Sequence, residues 1–186
     1  YCPHCDGPFF KNKDVAVVGG GNSGIEAALD LSGIVNNVTV LEFMPELKAD
    51  NILVDKAKTK DNITIIKHAQ VEQVNSANGK VTGLDYLQRD TSNKMTINLD
   101  GIFVQIGLVP NSQFLENVID LNPHGEIIVN ENGETSEKGI FACGDVTTVP
   151  YKQIIISMGE GAKTALSVAD YLMKTEDYDI ELDAAK

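Results

Sequence analysis

A chain of 186 residues that is 42% hydrophobic and 23% charged, with 16 glycines, 6 prolines and 3 cysteines, has the make-up of an ordinary globular protein, which excludes disorder, collagen and a disulfide-stapled scaffold. Fifteen Lys and Arg against 27 Asp and Glu leave a net charge of −12, so the average surface repels phosphate backbones and anionic lipid, and neither nucleic acid nor a membrane is an expected partner. No apolar run approaches the roughly 20 residues of a membrane span and no leader is evident, which predicts a cytoplasmic protein.

The start at Tyr1 rather than Met reads as a cut from something longer. Asp14-Val-Ala-Val-Val-Gly19 is a β-branched run ending in glycines, and residues 22–34 follow with helix formers and apolar Ile25, Ala28, Leu29 and Leu31. That pattern predicts strand, turn and helix. A second strand over 38–42 must then lie parallel to the first with the helix crossing over, which makes a βαβ unit. Asp50 is expected to cap a helix over 51–59, and Ile63-Thr-Ile-Ile66 supplies a third strand. From Val71 to Leu99 alternating runs separated by turn chemistry at Asn78-Gly79 and at 90–93 predict an antiparallel meander. An apolar strand over 102–106 follows, broken at 107–111 by Gly107 and Pro110, so a boundary is expected near residue 111. Beyond it the pattern predicts a short helix over 113–118, strands at 126–129 and 140–142, and a helix over 154–173, elements too sparse for an independent core. The acidic stretch 176–186 reads as a solvated tail.

Gly19-Gly20-Gly21-Asn22-Ser23-Gly24 matches G-x-G-x-x-G between a predicted strand and a predicted helix. The first glycine permits the tight turn, the second lets backbone approach a pyrophosphate and the third lets helix and strand pack closely, while the helix N-terminus faces the negative charge. Glu42, at the end of the second predicted strand, is placed to accept hydrogen bonds from a ribose hydroxyl pair. A carboxylate there repels a 2′-phosphate, and Phe43 follows where an NADP site would favour Arg, so NADH is preferred to NADPH. The same fingerprint also suits the ADP of FAD, and its own residues do not separate the two dinucleotides.

Cys2-Pro3-His4-Cys5 is a C-x-x-C pair, which in a reducing compartment points to redox or metal chemistry. Zinc would need two more ligands, and His68, His124 and Cys143 lie singly, so no metal site is expected. A thioredoxin-type pair heads a long helix, whereas Gly7-Pro8 would stop this one within a turn. Asp6, beside the second cysteine, has the chemistry to move the proton that thiol-disulfide exchange requires, although it also suits a plain turn before Gly7. Gly144-Asp145 after the run 140–142 suits a polyhydroxyl chain such as ribitol, and Lys152, Gln153 and Ile154 open a helix whose N-terminus would favour negative charge.

Taken together, Tyr-Cys-Pro-His-Cys-Asp-Gly-Pro, Val-Val-Gly-Gly-Gly-Asn-Ser-Gly, Leu-Glu-Phe-Met-Pro-Glu-Leu-Lys-Ala-Asp, Gly-Ile-Phe-Val-Gln-Ile-Gly-Leu-Val-Pro-Asn and Val-Pro-Tyr-Lys-Gln-Ile-Ile-Ile resemble the flavoprotein F subunits of bacterial alkyl hydroperoxide reductase, relatives of the small thioredoxin reductases. The resemblance covers nearly all of residues 1–175, and its motif order assigns the fingerprint to NADH. It implies an α/β protein, with a Rossmann-like three-layer NADH-binding domain bearing the meander and the cysteine pair (1–111), then the C-terminal segment of a FAD-binding domain of the same type (112–175).

It further implies that reducing equivalents pass from NADH through FAD to the Cys2–Cys5 disulfide, with Cys5 nearer the flavin, Cys2 exchanging outward and Asp6 as acid-base group. Gly19 to Gly24, Glu42 and Phe43 would hold NADH, with Ile106 and Gly107 near its nicotinamide. Gly144 and Asp145 would meet the ribityl chain of FAD, and Lys152, Gln153 and Ile154 would border its ring. The implied partner is a peroxiredoxin, reached through an N-terminal domain, and the implied assembly is a homodimer. Since the family's first FAD-binding half is absent from this sequence, the chain alone is expected to bind FAD weakly or not at all and to turn over no peroxide system. Thioredoxin reductase proper and a non-catalytic NADH-binding module remain as alternatives.

Overall fold

A computed structural model describes residues 2–175, so the expected acidic tail lies outside the described residues. The elements in chain order are α1 (Pro3–Asp6), β1 (Asp14–Val18), α2 (Asn22–Ser32), β2 (Asn37–Leu41), α3 (Asn51–Lys58), β3 (Ile63–Ile66), β4 (Ala69–Ala77), β5 (Lys80–Gln88), β6 (Asn93–Asn98), β7 (Gly101–Val104) and α4 (Ile154–Lys174). The chain divides into two compact units that part between Gly107 and Leu108, ahead of Pro110.

In the first unit four strands form an all-parallel sheet in the order β3-β2-β1-β7, and β4-β5-β6 form a separate antiparallel sheet. Alternation along β1 explains the layering, because successive side chains of a strand point to opposite faces. Val15 and Val17 pack with Ile25, Ala28 and Leu31 of α2, while Ala16 joins Leu84, Tyr86 and Leu99 beneath the meander. Fully burying each such Val, Ile or Leu is worth roughly 1.5–3 kcal/mol, so the parallel sheet is held from both sides. The three-layer α/β architecture read from the sequence is the one observed.

The N-terminal turn is tied into this unit. After α1 the chain makes a 3-10 turn over Gly7–Phe10, as expected for a helix stopped by Gly and Pro. Gly7 abuts α2, where an added Cβ would come 3.1 Å from Leu31 Cδ2. Phe10 sits edge-on to Phe103 with ring centroids 5.3 Å apart, over Gly101, whose Cβ would lie 2.2 Å from the Phe10 ring.

The structure corrects four local expectations. Asp50 occupies the N-cap position of α3, but its side chain caps nothing there; its carboxylate accepts a hydrogen bond from Asn22 Nδ2, and Asn22 Oδ1 accepts the Asp50 N–H at 2.7 Å. The expected helix over 113–118 is a 3-10 turn at Gln113–Leu115. The expected strands at 126–129 and 140–142 are single bridges, Leu121 with Ile127, Ile127 with Thr147, and Glu134 with Phe141. Their ladders stop because Asn122 Oδ1 takes the N–H groups of His124 and Glu126, and Asn130 Oδ1 takes those of Asn132 and Glu134, so side chains compete with strand pairing for the same donors. Cys143 is half-buried. The second unit buries Ile119 and Ile127 as its apolar residues among those described, consistent with the sparse core read from the sequence.

Candidate nucleotide and dithiol sites

Gly19 follows β1 with φ of 118°, a conformation that favours glycine. A Cβ there would lie 2.2 Å from the carbonyl oxygen of Gln105 and 3.3 Å from the Ile106 nitrogen, which places Ile106 beside the turn. At Gly24 a Cβ would lie 1.9 Å from the Gly19 carbonyl oxygen, so helix and turn meet backbone to backbone. Gly21 differs: it is the N-cap residue of α2, and nothing lies within 4 Å of where its Cβ would be. Thus Gly19 and Gly24 are required by packing, and Gly21 faces open space at the first turn of an eleven-residue helix, where amide N–H groups await acceptors. Asn22 and Ser23 are exposed beside it.

Glu42 is only 8% exposed. Its Oε2 accepts the Gly20 N–H at 2.6 Å and its Oε1 accepts the Met44 N–H at 2.7 Å. The carboxylate therefore clamps the glycine turn to the end of β2, a structural role the sequence reading did not include. Each oxygen keeps a second lone pair for a hydroxyl donor. Next to it Phe43 is 47% exposed. Ile106 is exposed, and Gly107 has φ of 101° with open space around its Cβ position.

Cys2 is the N-cap residue of α1 and is half-buried, whereas Cys5 is exposed; both are thiols. The Cys2 N–H donates to Asp6 Oδ2 at 2.9 Å, while the Cys5 and Asp6 N–H groups donate to the Cys2 carbonyl oxygen. The Cys5 thiol pKa is raised, first by its hydrogen bond with the Cys2 side chain, then by desolvation and by the negative charge that Cys2 and Asp6 place nearby. His4 Nδ1 lies 3.3 Å from Asp30 Oδ2 on the last turn of α2.

The glycine turn starts α2 and the dithiol turn rests on its far end, so eleven residues at about 1.5 Å each place the two sites roughly 16 Å apart along the helix. Glu42 and the glycines are brought together, as expected. Cys2, Cys5 and Asp6 form a second cluster, apart from the first.

In the second unit Gly144 has φ of 78°. Asp145 is exposed and its Oδ1 accepts the Ser157 hydroxyl at 2.8 Å on the first turn of α4. Lys152 turns inward, 2.9 Å from Glu126 Oε1, and donates to the Thr147 carbonyl oxygen. The Lys152 ammonium, with Asn122, holds the Glu126 carboxyl below its usual range. Gln153 occupies the N-cap position of α4 and Ile154 is exposed at its start. Two clefts in this unit, one along Glu134, Leu166 and Tyr171 and one over residues 116–125, include none of the expected site residues. No helix among the described residues is long and apolar enough to cross a membrane.

A glycine turn at a helix N-terminus, an acidic clamp and a nearby C-x-x-C define a class, and residues 1–169 match the family model of pyridine nucleotide-disulphide oxidoreductases. The chain belongs to that family. It is 57% identical over 176 residues to the F subunit of alkyl hydroperoxide reductase in Escherichia coli K12, covering 95% of this chain and 34% of that protein. It is 55% identical over 174 residues to a Bacillus subtilis NADH dehydrogenase, covering 94% and 34%. Among solved structures, thioredoxin reductase from Streptococcus pyogenes MGAS5005 superimposes with a TM-score of 0.85 at 32% identity, over 94% of this chain and 57% of that one. The chain thus spans about a third of the length of these curated relatives, and the resemblance read from the motifs holds at this level.

Proposed function

We propose that the chain carries the NADH pocket and the redox-active cysteine pair of an FAD-dependent NADH-disulfide oxidoreductase of the alkyl hydroperoxide reductase type. The observation that carries this reading is that one compact unit holds both a glycine turn clamped by Glu42 and a Cys2–Cys5 turn whose Cys2 amide is bonded to Asp6. Open space at Gly21 and lone pairs left on Glu42 fit the pyrophosphate and ribose of a dinucleotide. When bound, NADH and FAD would supply the two electrons that, with two protons, convert the Cys2–Cys5 disulfide to the dithiol, and the dithiol would return to the disulfide as it reduces a peroxiredoxin disulfide. The chain's own residues orient and protonate. In this reading Cys2 is the sulfur that attacks an incoming disulfide, which accords with the raised Cys5 thiol, and Asp6, bonded to the Cys2 amide, is the adjacent carboxylate for proton movement. Gly144, Asp145, Lys152, Gln153 and Ile154 form the part of the chain that meets FAD in this reading, Asp145 and Ile154 by their exposure and Lys152 as an internal strut. FAD binding by the 186-residue chain alone is weak.

The peroxiredoxin partner, a homodimeric assembly and a cytoplasmic address belong to the same proposal. Identity to the F subunits, 57% in Escherichia coli, against 32% to the streptococcal thioredoxin reductase, favours a peroxiredoxin over thioredoxin as the acceptor. Titrating the 186-residue chain with NADH in a calorimeter should give saturable heat, and none at millimolar NADH would end the proposal. In a protein of the relatives' full length built around this chain, NADH-dependent reduction of a disulfide reagent should vanish with Cys2→Ser or Cys5→Ser. Activity that survives both would overturn the role of the pair.

A further inference from the structure

Arg89 is the sole arginine in the chain, and nothing in the sequence marks it. It follows β5 at the end of the meander, yet it reaches back to the parallel sheet. Its Nη1 donates to the Phe43 carbonyl oxygen at 2.9 Å, and its Cζ lies 3.8 Å from the centroid of the Phe43 ring. Its backbone N–H donates to the His68 carbonyl oxygen at 2.8 Å, and the His68 N–H donates to the Met44 carbonyl oxygen. Gln88 Nε2 bonds the Lys67 carbonyl oxygen and Asp90 Oδ1. Arginine, histidine and phenylalanine backbones are thus locked into one ledge where the ends of β2, β3 and β5 converge.

This ledge adjoins Glu42, whose carboxylate holds Gly20. With pyrophosphate on the glycine turn and ribose at Glu42, the group that reaches the ledge is the base. The ledge is suited to it: a guanidinium is planar, stacks on aromatic faces and is weakly hydrated, Phe43 covers one side of it, and Arg89 is exposed. A charge-bearing plane lying over a ring is held flat by cation–π attraction and by the Phe43 carbonyl bond, so little freedom is lost when a second flat ring stacks against it. We propose that the Arg89–Phe43 stack is the shelf for the adenine ring of the coenzyme, with Arg89 as an affinity-determining residue. The inference rests on the reading of the glycine turn as the NADH pocket.

The test is a fluorescence titration of the 186-residue chain with NADH, with AMP and reduced nicotinamide mononucleotide as competitors. Arg89→Met should weaken NADH and AMP together, by about three- to tenfold, and leave reduced nicotinamide mononucleotide unchanged. Arg89→Lys keeps the charge without the plane and should lose nearly as much. Phe43→Leu, which removes the supporting ring, gives the same selective loss and serves if Arg89→Met fails to fold. Unchanged NADH and AMP affinity in a folded variant overturns the shelf. A loss confined to NADPH also overturns it, because Arg89 would then be a phosphate handle. An unaltered chain that binds no NADH at all would instead remove the pocket reading, and the shelf with it.

Discussion

Replacing Glu42 by Gln tests the clamp that joins the glycine turn to the sheet. The unaltered side chain accepts one N–H on each oxygen, at 2.6 and 2.7 Å, with 8% exposure. Glutamine offers one carbonyl oxygen and one NH2 group, so either the Gly20 or the Met44 amide must face a donor. A hydrogen bond to a charged group is worth about 1.5–3 kcal/mol, and a buried donor left unsatisfied costs about 1–3 kcal/mol. A loss near 2 kcal/mol in a unit of this size lowers the unfolding midpoint by roughly 10 °C, at about 4–8 °C per kcal/mol. Far-UV circular dichroism melting of Glu42→Gln against the unaltered chain reads this directly. NADH titration at 20 °C should weaken as well, because the turn is no longer held and the proposed ribose acceptor has lost its charge. A variant that melts within a degree of the unaltered chain would refute the clamp, whatever its NADH affinity.

The glycines should separate packing from binding: Gly21→Ala has open space for its methyl group and should melt normally while losing NADH affinity at least tenfold, whereas Gly24→Ala, 1.9 Å from the Gly19 carbonyl oxygen, should lose both, by melting curves and titration. Cys2→Ala removes the hydrogen bond that raises the Cys5 thiol, so the pH midpoint of Cys5 alkylation by iodoacetamide, followed by mass spectrometry, should fall toward an ordinary thiol; an unmoved midpoint would deny the sulfur pair its interaction. The depressed Glu126 carboxyl stabilises the second unit above its ordinary range, and that contribution is lost as pH falls through the lowered folded value. Lys152→Met should therefore flatten the loss of stability on acidification, read by denaturant midpoints between pH 6 and 3.

Much of the first unit was legible because its signals are periodic. The β-branched runs at 14–18 and 63–66, the glycines between strand and helix, and the Asn78-Gly79 turn each carry local chemistry that forms as read. What stayed hidden depends on residues distant in sequence. Asp50 has the residue type of a cap, but Asn22 competes for its carboxylate. Residues 126–129 are β-branched in part, yet Asn122 and Asn130 divert the donors a ladder needs. Arg89 meets Phe43 across 46 positions, so no window of sequence would connect them. Glu42 was found by its place after β2, but its clamp on Gly20 and Met44 was not, because nothing in a linear pattern says which way a carboxylate turns.

One rigid rod carries the glycine turn at its head and the mooring of the cysteine turn at its foot. A hydride or thiol transfer needs reacting atoms about 3–3.5 Å apart, far less than the roughly 16 Å of helix between the glycine turn and the cysteine turn. Damage at one end should accordingly leave the other intact, and two chains, each crippled at a different end, would each retain one working half.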